Sequence, residues 1–190
     1  MLFPKIDKIF REIDKSQVLR TNNIQHIPEF ENRRGGKLSY AEWAHVIGIF
    51  QTIFYLILPK KSGNNVLDVG CGSGLLGIAA KSLVANGGSY TGLDVMSKDI
   101  NYCKKQFAFP NYNFIHFDIA NPSYAQTQSQ ELVPWPIESN SKELVTALSV
   151  WTHLSEADSK FYLKEISRVL KKGGKAVVTF FYLDQAYQDS

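Results

Sequence analysis

The stretch that most constrains the fold of this chain is residues 66–74, which read Val-Leu-Asp-Val-Gly-Cys-Gly-Ser-Gly. Three β-favouring residues surround one acid, Asp68, and glycines then recur at every second position from Gly70 to Gly74. A helical run follows over residues 75–86. The stretch therefore predicts a strand, a tight turn and a helix. Because glycine has no Cβ, such a turn lets the backbone touch a ligand, and the free N–H groups of the helix N-terminus favour a carboxylate or a phosphate.

Strand and helix signals alternate along the rest of the chain. Strands are predicted over residues 66–70, 89–93, 113–117, 144–148 and 175–182, and helices over residues 41–58, 75–86, 97–108 and 155–171. Ser97 and Ser155 are the expected N-caps of the last two helices, and Asp158 forms a capping box with Ser155. Alternating units of this kind predict an α/β fold, in which a doubly wound, mostly parallel sheet carries helices on both faces. Ligands of such sheets bind beyond the carboxyl ends of the strands, at the switch point of the strand order.

The composition restricts the classes of partner and site. The chain has 190 residues, of which 44% are apolar and 21% are charged, as expected for one globular domain with a sizeable core. A net charge of +3 without a basic cluster argues against a nucleic-acid partner. The two cysteines, Cys71 and Cys103, are too few for a disulfide framework and have no metal-ligating residues near them in sequence. We therefore expect neither a metal nor a nucleic acid.

Residues 1–36 are expected to form a helical and irregular N-terminal extension ahead of the α/β domain at residues 37–190. Residues 5–20 have the apolar spacing of an amphipathic helix, whereas residues 21–39 look irregular. The start of the chain lacks the basic and apolar regions of a signal peptide. The most apolar run, residues 43–58, is too short for a membrane span and favours a buried helix. We expect no membrane contact and a cytoplasmic location.

The glycines alone leave the ligand open. Gly72, Gly74 and Gly77 also fit G-x-G-x-x-G, the dinucleotide fingerprint. Asp94 is predicted at the end of the second strand, where a carboxylate accepts hydrogen bonds from the ribose hydroxyls of an adenosine. Since NAD-binding proteins place an acid in the same region, Asp94 does not separate a nicotinamide cofactor from another adenosine cofactor. A turn without any ligand is the remaining alternative.

From Asp68 onward the pattern is D-x-G-x-G-x-G, which closely resembles motif I of the class I S-adenosylmethionine-dependent methyltransferases. Residues 170–175, Leu-Lys-Lys-Gly-Gly-Lys, are close to the family's L-K-P-G-G, and residues 149–154 are similar to S-V-F-T-H-M. In residues 141–145 the Phe of the family's S-F-D-L-V is lost. The resemblance covers residues 37–183 and implies a Rossmann-like sheet of strand order 3-2-1-4-5.

The resemblance implies S-adenosylmethionine as the cofactor and S-adenosylhomocysteine as its product. In that family the turn approaches the methionine part and the ribose of the cofactor, and the acid that Asp68 matches lies near the amino end. The acids that Asp94 and Asp118 match bind the ribose and the adenine amino group. The predicted cofactor-binding residues are Asp68, Gly70, Cys71, Gly72, Gly74, Asp94, Val95, Asp118, Ile119 and Ser149.

A hydroxyl acceptor must also lose a proton, for which a positioned histidine or carboxylate is effective. His153 is the predicted catalytic base, because histidine titrates near neutrality and the matching segment of the family faces both cofactor and acceptor. His116 and His45 are expected to be packed in the core. Tyr40 and Trp43, ahead of the motif, are predicted to cover the cofactor.

Three functions are compatible with these patterns. The first is a methyltransferase that acts on a small-molecule or glycan-type acceptor, with a hydroxyl as the methylated group. The second is an NAD-dependent oxidoreductase that uses Gly72, Gly74 and Gly77. The third is a subunit that binds S-adenosylmethionine without catalysing a reaction.

The chain stops at Ser190, soon after the fifth predicted strand. The resemblance implies seven strands, of which the last two form a hairpin beside the fifth, so strands six and seven are expected to be absent. Two interpretations are open. The chain is a fragment of a longer enzyme, or residues 177–183 form an exposed apolar edge that pairs with a second copy.

Overall fold

The computed structural model of the protein describes residues 26–117 and 132–180. The helices are α1 (Tyr40–Ile57), α2 (Leu75–Ala80), α3 (Ser97–Gln106) and α4 (Glu156–Val169), and the strands are β1 (Asn65–Val69), β2 (Ser89–Asp94), β3 (Tyr112–His116), β4 (Lys142–Ala147) and β5 (Leu170–Val178). Short 3₁₀ turns lie at Phe30–Asn32 and Trp151–His153. The predicted helix over residues 5–20 lies outside the described residues, as do the predicted site residues Asp118 and Ile119.

Within the described ranges the strands form a parallel sheet in the order β3-β2-β1-β4-β5, which confirms the predicted sheet and its strand order. β1 lies between β2 and β4, so the strand order switches direction there. The register pairs Val69 of β1 with Leu93 of β2, and Asp68 of β1 with Thr146 of β4. The carboxyl ends of the central strands therefore meet at one edge of the sheet, where this class of fold binds its ligands.

Apolar clusters cover both faces of the sheet. One contains Trp43 of α1 and Tyr90 of β2 and includes the buried sides of α2 and α3. The other contains Tyr162 of α4. Neighbouring residues of β1 alternate between them, with Val66 in the first cluster and Leu67 in the second. This alternation follows the pleat of a strand, and burial on both faces is typical of parallel sheets.

The first helix is amphipathic. It begins with a capping box, in which Ser39 Oγ accepts a hydrogen bond from the Glu42 N–H (3.1 Å) and the Glu42 carboxylate accepts one from the Ser39 N–H (2.8 Å). Trp43 and Ile47 are buried on its inner side, whereas Leu56 on its outer side is 74% exposed. The predicted buried helix is therefore buried on one side and exposed on the other. No helix in the described part of the chain has both the length and the apolar character needed to span a membrane.

The second helix is shorter than predicted. It ends at Ala80 and turns continue as far as Gly87, whereas the apolar pattern predicted a helix to residue 86. Leu83 and Val84 are buried, and their N–H groups donate to the Ala80 carbonyl oxygen (2.8 and 3.1 Å). The apolar pattern of this segment thus reflects burial in turns, because a turn can place side chains in the core as a helix does.

The fifth strand begins earlier than predicted. It starts at Leu170, directly after α4, whereas the pattern predicted a helix to residue 171 and a strand from residue 175. Lys142 of β4 pairs with Leu170 and Leu144 pairs with Lys175, so the residues between form a bulge. Gly173, with φ of +82°, accommodates this bulge. β5 is an edge strand of the described sheet, and pairing of a second copy with that edge stays a prediction.

Candidate cofactor site

The glycine turn joins β1 to α2 at the carboxyl edge of the sheet. Gly70 (φ +68°), Gly72 (φ +49°) and Gly74 (φ +88°) all have left-handed backbone angles, which favour glycine. A Cβ on Gly70 would lie 2.4 Å from Val150 Cγ2, and a Cβ on Gly74 would lie 2.4 Å from Phe107 Cε2. Backbone conformation and close packing on two sides therefore explain the spacing of glycines in the sequence.

Asp94, at the end of β2, holds this turn in place. Its Oδ2 accepts a hydrogen bond from the Gly72 N–H (2.7 Å), and its Oδ1 accepts one from the Met96 N–H (2.8 Å). Met96, and not the predicted Ser97, stands at the N-cap position of α3. Burial raises the pKa of Asp94, although both hydrogen bonds favour the carboxylate. Each oxygen keeps a second lone pair, which leaves room for the predicted contact with ribose hydroxyls.

Asp68 lies on β1 and is only 1% exposed. The Tyr90 hydroxyl donates a hydrogen bond to its Oδ2 (2.5 Å), and the Thr146 hydroxyl donates one to its Oδ1 (2.8 Å). Burial raises the pKa of Asp68 to about 7, and these two hydrogen bonds oppose the shift only in part. Because both donors are neutral hydroxyls, the carboxylate is suited to a cationic group on a ligand.

A cavity of about 300 Å³ opens at this edge of the sheet. It brings together residues from the ends of β1, β2 and β4, as the sequence predicted. The predicted residues that line it are Asp68, Gly70, Cys71, Gly72, Asp94, Val95, Ser149 and His153. Gly74 stands outside the lining and packs against Phe107.

The two cysteines lie close together beside the turn. Both are buried and free, and Cys103 Sγ donates to the Gly72 carbonyl oxygen at 3.2 Å. A hydrogen bond with Cys103 and burial raise the pKa of the Cys71 thiol well above its ordinary value. Buried thiols of this kind are unreactive, so Cys71 contributes its small apolar shape to the turn.

Two further cavity residues were missed by sequence reasoning. Ser73 Oγ, in the glycine turn, and Trp151 Nε1, in the loop after β4, are buried and have no hydrogen-bond partner in the part of the chain that the structure describes. Unpaired buried polar atoms are unfavourable and uncommon, so a cavity that holds both suits a polar ligand. A serine between two glycines of the motif was the available signal for Ser73. Trp151 carried none beyond its place after the fourth strand.

Arg34, Gly35 and Lys37, from the segment before α1, also line the cavity. Arg34 binds Asp99 of α3 through Nε and Nη2, with N···O distances of 2.8–3.1 Å, and Asp99 is 5% exposed. Trp43 also lines the cavity, and its Nε1 donates to a carbonyl oxygen of the same segment (3.1 Å). Tyr40, in contrast, is 46% exposed and does not line the cavity. Of the two aromatic residues predicted to cover the cofactor, only Trp43 therefore lies at the cavity.

We expect Arg34→Ala to lower the free energy of unfolding by about 1–2 kcal/mol, because it leaves the buried Asp99 carboxylate without its charged partner. The Arg34 side chain is 37% exposed, which keeps the loss below that of a fully buried pair. Urea denaturation measures the change. Lys160→Ala is the matched control, because its ion pair with Glu156 is exposed on both sides and contributes little. Equal losses in the two variants would contradict this role of Arg34.

The histidines differ from expectation in their burial. His153 is exposed in the 3₁₀ turn Trp151–His153 and lines the cavity, and its role as the base stays a prediction. His116, predicted to be packed, is exposed at the end of β3, with Nε2 3.0 Å from the Val95 carbonyl oxygen. His45 is exposed on the outer side of α1. Both packing predictions were wrong, because each side chain projects from the solvent side of an otherwise apolar element.

A family model described as a methyltransferase domain matches residues 67–178, more than half of the chain. This protein belongs to the methyltransferase domain family. The matched range begins in β1, includes the glycine turn and the loop after β4, and ends in β5. The methyltransferase domain thus has the class I fold, and its cofactor is S-adenosylmethionine rather than a nicotinamide dinucleotide.

Known relatives of this methyltransferase domain differ in the acceptors that their names give. Fatty-acid O-methyltransferase of Mycolicibacterium smegmatis is 31% identical over 117 residues, which cover 62% of this chain and 37% of that protein. Ribosomal protein L11 methyltransferase of Cupriavidus pinatubonensis is 36% identical over 88 residues, which cover 46% of this chain and 28% of that protein. The chain therefore spans less than half the length of these relatives.

A solved structure shows the same fold. Geranyl diphosphate C-methyltransferase from Streptomyces coelicolor, crystallised with S-adenosyl-L-homocysteine, superposes with a TM-score of 0.54 at 14% identity. The match covers 73% of this chain and 45% of that chain. At this identity the likeness concerns the architecture of the sheet and its helices.

The residues present fit S-adenosylmethionine. Asp68 suits the ammonium of its amino-acid end, and Asp94 keeps acceptor positions for ribose hydroxyls. The Ser73 hydroxyl, which has no partner within residues 26–117 and 132–180, is available to a polar group of the cofactor. A dinucleotide offers no ammonium to Asp68, whereas Asp94 can bind a ribose of either cofactor. The acids of the cavity thus favour a cofactor with a cationic end.

Proposed function

We propose that this methyltransferase domain transfers the methyl group of S-adenosylmethionine to a hydroxyl of a small-molecule acceptor. The observation that carries the proposal is the single cavity lined by the glycine turn, by Asp68 and Asp94, and by the loop that follows β4. The predicted cofactor-binding residues and the predicted base, His153, line this same cavity. His153, exposed in that loop, supports transfer to a group that must lose a proton.

The cofactor, when bound, supplies a sulfonium methyl that is already activated for transfer. The chain's own residues must then hold the acceptor at near-attack distance and exclude water. Arg34 and Trp43, which both come before β1 in the chain, line the cavity and help to exclude water. We assign to the His153 imidazole the removal of the hydroxyl proton during transfer, because a positioned histidine side chain is an effective general base.

Part of the cavity lining supports an apolar acceptor. Leu148, Val150 and Leu154 give the loop after β4 an apolar surface, although Ser149 and His153 of the same loop can form hydrogen bonds. One relative acts, by its name, on fatty acids as an O-methyltransferase. Another acts, by its name, on a ribosomal protein, so the names alone do not choose between acceptors.

Calorimetric titration with S-adenosylhomocysteine tests the cofactor half of the proposal. We expect Asp94→Ala to weaken binding by about 1–3 kcal/mol, because the variant loses hydrogen bonds to a charged group and frees the Gly72 N–H. Glu156→Ala is the control, because Glu156 is exposed on α4 outside the cavity. Unchanged affinity in Asp94→Ala would show that the ribose lies elsewhere.

A turnover screen tests the transfer half. The protein is incubated with S-adenosylmethionine and sets of apolar alcohols, glycans and peptides, and mass spectrometry identifies any product that gains a methyl group. We expect methylated products from the apolar alcohols. Binding of S-adenosylhomocysteine without any methylated product would favour the subunit that binds the cofactor without catalysis.

A further inference from the structure

The cavity has two ends of different chemistry. Near the glycine turn lie Asp94 and the Arg34–Asp99 ion pair. Another part of the lining, here called the aromatic end, consists of Phe117, Trp135, Trp151, Leu154 and Tyr162. All five belong to the apolar cluster on the α4 side of the sheet or pack against it. A ligand that enters this end exchanges water for apolar side chains, which is favourable only for an apolar body.

The wall of the aromatic end is held rigidly. Trp135 stacks on Tyr162, with ring centroids 5.4 Å apart and an interplanar angle of 9°. The backbone N–H of Trp135 donates to Glu165 Oε2 (2.8 Å), and its carbonyl oxygen accepts from Arg168 Nη2 (3.0 Å). These contacts fix the loop before β4 against α4. The surface is therefore formed before any ligand binds, which lowers the entropy lost on binding.

The Trp151 indole carries a polar atom into this part of the lining, beside Ser149 and His153 of the same loop. Its Nε1 is buried and has no hydrogen-bond partner among the described residues. An indole N–H can only donate, and buried tryptophans usually find an acceptor for it. The other unpaired atom, Ser73 Oγ, belongs to the glycine turn and so lies with the charged end. An unpaired donor next to the apolar side chains of Phe117, Trp135 and Leu154 favours a ligand that has an oxygen acceptor on an apolar body.

We propose that the aromatic end is the acceptor subsite and that Trp151 Nε1 donates a hydrogen bond to an oxygen of the acceptor. The acceptor is thus an apolar molecule that presents a carboxylate, carbonyl or hydroxyl oxygen. This inference rests on the proposed function and narrows its substrate class. Trp151 selects for such molecules and against amines, because a protonated amine has no lone pair with which to accept the bond.

The test measures binding, and not turnover, of decanoate and of decylamine by calorimetry. Both probes have ten carbons and one charged end, and only decanoate offers an oxygen acceptor. Each is titrated into the protein with and without saturating S-adenosylhomocysteine. Trp151→Phe removes the donor and keeps an aromatic ring in place. Tyr55→Phe is the control, because it removes one polar aromatic atom at a residue outside the cavity.

We expect decanoate to bind more tightly than decylamine and Trp151→Phe to weaken decanoate about ten-fold, the effect of a lost hydrogen bond to a charged acceptor. The affinity for S-adenosylhomocysteine should stay unchanged in Trp151→Phe, and both affinities should stay unchanged in Tyr55→Phe. Equal binding of the two probes, or unchanged decanoate affinity in Trp151→Phe, would overturn the proposal. Weaker S-adenosylhomocysteine binding in Trp151→Phe would do so too, since the indole would then serve the cofactor. Failure of the unaltered protein to bind S-adenosylhomocysteine would instead count against the proposed function.

Discussion

Gly74→Ala is expected to lower the free energy of unfolding by about 2–5 kcal/mol, from the left-handed backbone angle and from overpacking. Gly74 has φ of +88°, and its new Cβ would lie 2.4 Å from Phe107 Cε2. Phe107 is 2% exposed and packs among the rings of Phe109, Tyr112 and Phe114, so it cannot move aside without disturbing that cluster. Urea denaturation measures the loss, and weaker binding of S-adenosylhomocysteine should accompany it.

Gly87→Ala separates the two contributions. Gly87 has φ of +92°, close to that of Gly74, but a Cβ there would meet nothing within 4 Å. We therefore expect only the backbone strain of about 1–2 kcal/mol at this position. If both variants lost the same stability, the contact with Phe107 would be shown to contribute nothing.

Asp68→Asn is expected to make the free energy of unfolding less dependent on pH. The free energy of the variant minus that of the unaltered protein should be about 1–3 kcal/mol larger at pH 8 than at pH 5. The pKa of Asp68 is about 7 in the folded protein against an ordinary value of 3.8. Between these values the unfolded chain has lost the proton that the folded chain still holds, so the stability of the unaltered protein falls as the pH rises. Asparagine cannot ionise and escapes that fall. Denaturation curves at a series of pH values measure the difference.

Tyr90→Phe is expected to make the stability of the protein more dependent on pH, whereas Asp68→Asn makes it less dependent. It removes one of the hydroxyls that lower the pKa of Asp68, so the fall in stability should continue to a higher pH. Glu156→Gln is the control for loss of a surface carboxylate, because Glu156 is exposed. A parallel dependence on pH in the unaltered protein and in Asp68→Asn would mean that Asp68 is ionised throughout this range.

Much of the site was predictable because it is encoded locally. The glycines at 70, 72 and 74 follow from backbone angles that few other residues adopt, and these angles are set within a single turn. The capping box of Ser155 and Asp158 is confirmed, since its partners lie three residues apart. The parallel sheet and its order were predicted from the alternation of elements and the family resemblance, and both are confirmed.

The incorrect predictions concern segments in which the sequence pattern did not match the burial of the side chains. The apolar residues Leu83 and Val84 follow a helical pattern, but they lie in turns and their side chains are buried there. The glycine pair at residues 173–174 was interpreted as a helix end, and it lies in a bulge of β5 that only pairing with β4 defines. His116 lies in a strand with apolar neighbours but projects to solvent. Periodicity predicts that an element is amphipathic, and the packing of the whole chain decides which side is covered.

By itself the sequence determined the order of strands and helices, the glycine turn and the acids at the strand ends, because these depend on residues close together in the chain. Only the tertiary structure decided that the pKa of the buried Asp68 is raised to about 7 and that Arg34 binds Asp99 of α3. It also decided that the Trp151 indole N–H has no acceptor among the described residues. Each of these depends on burial and on distances between residues far apart in sequence, and those quantities exist only once the sheet and its helices have packed together.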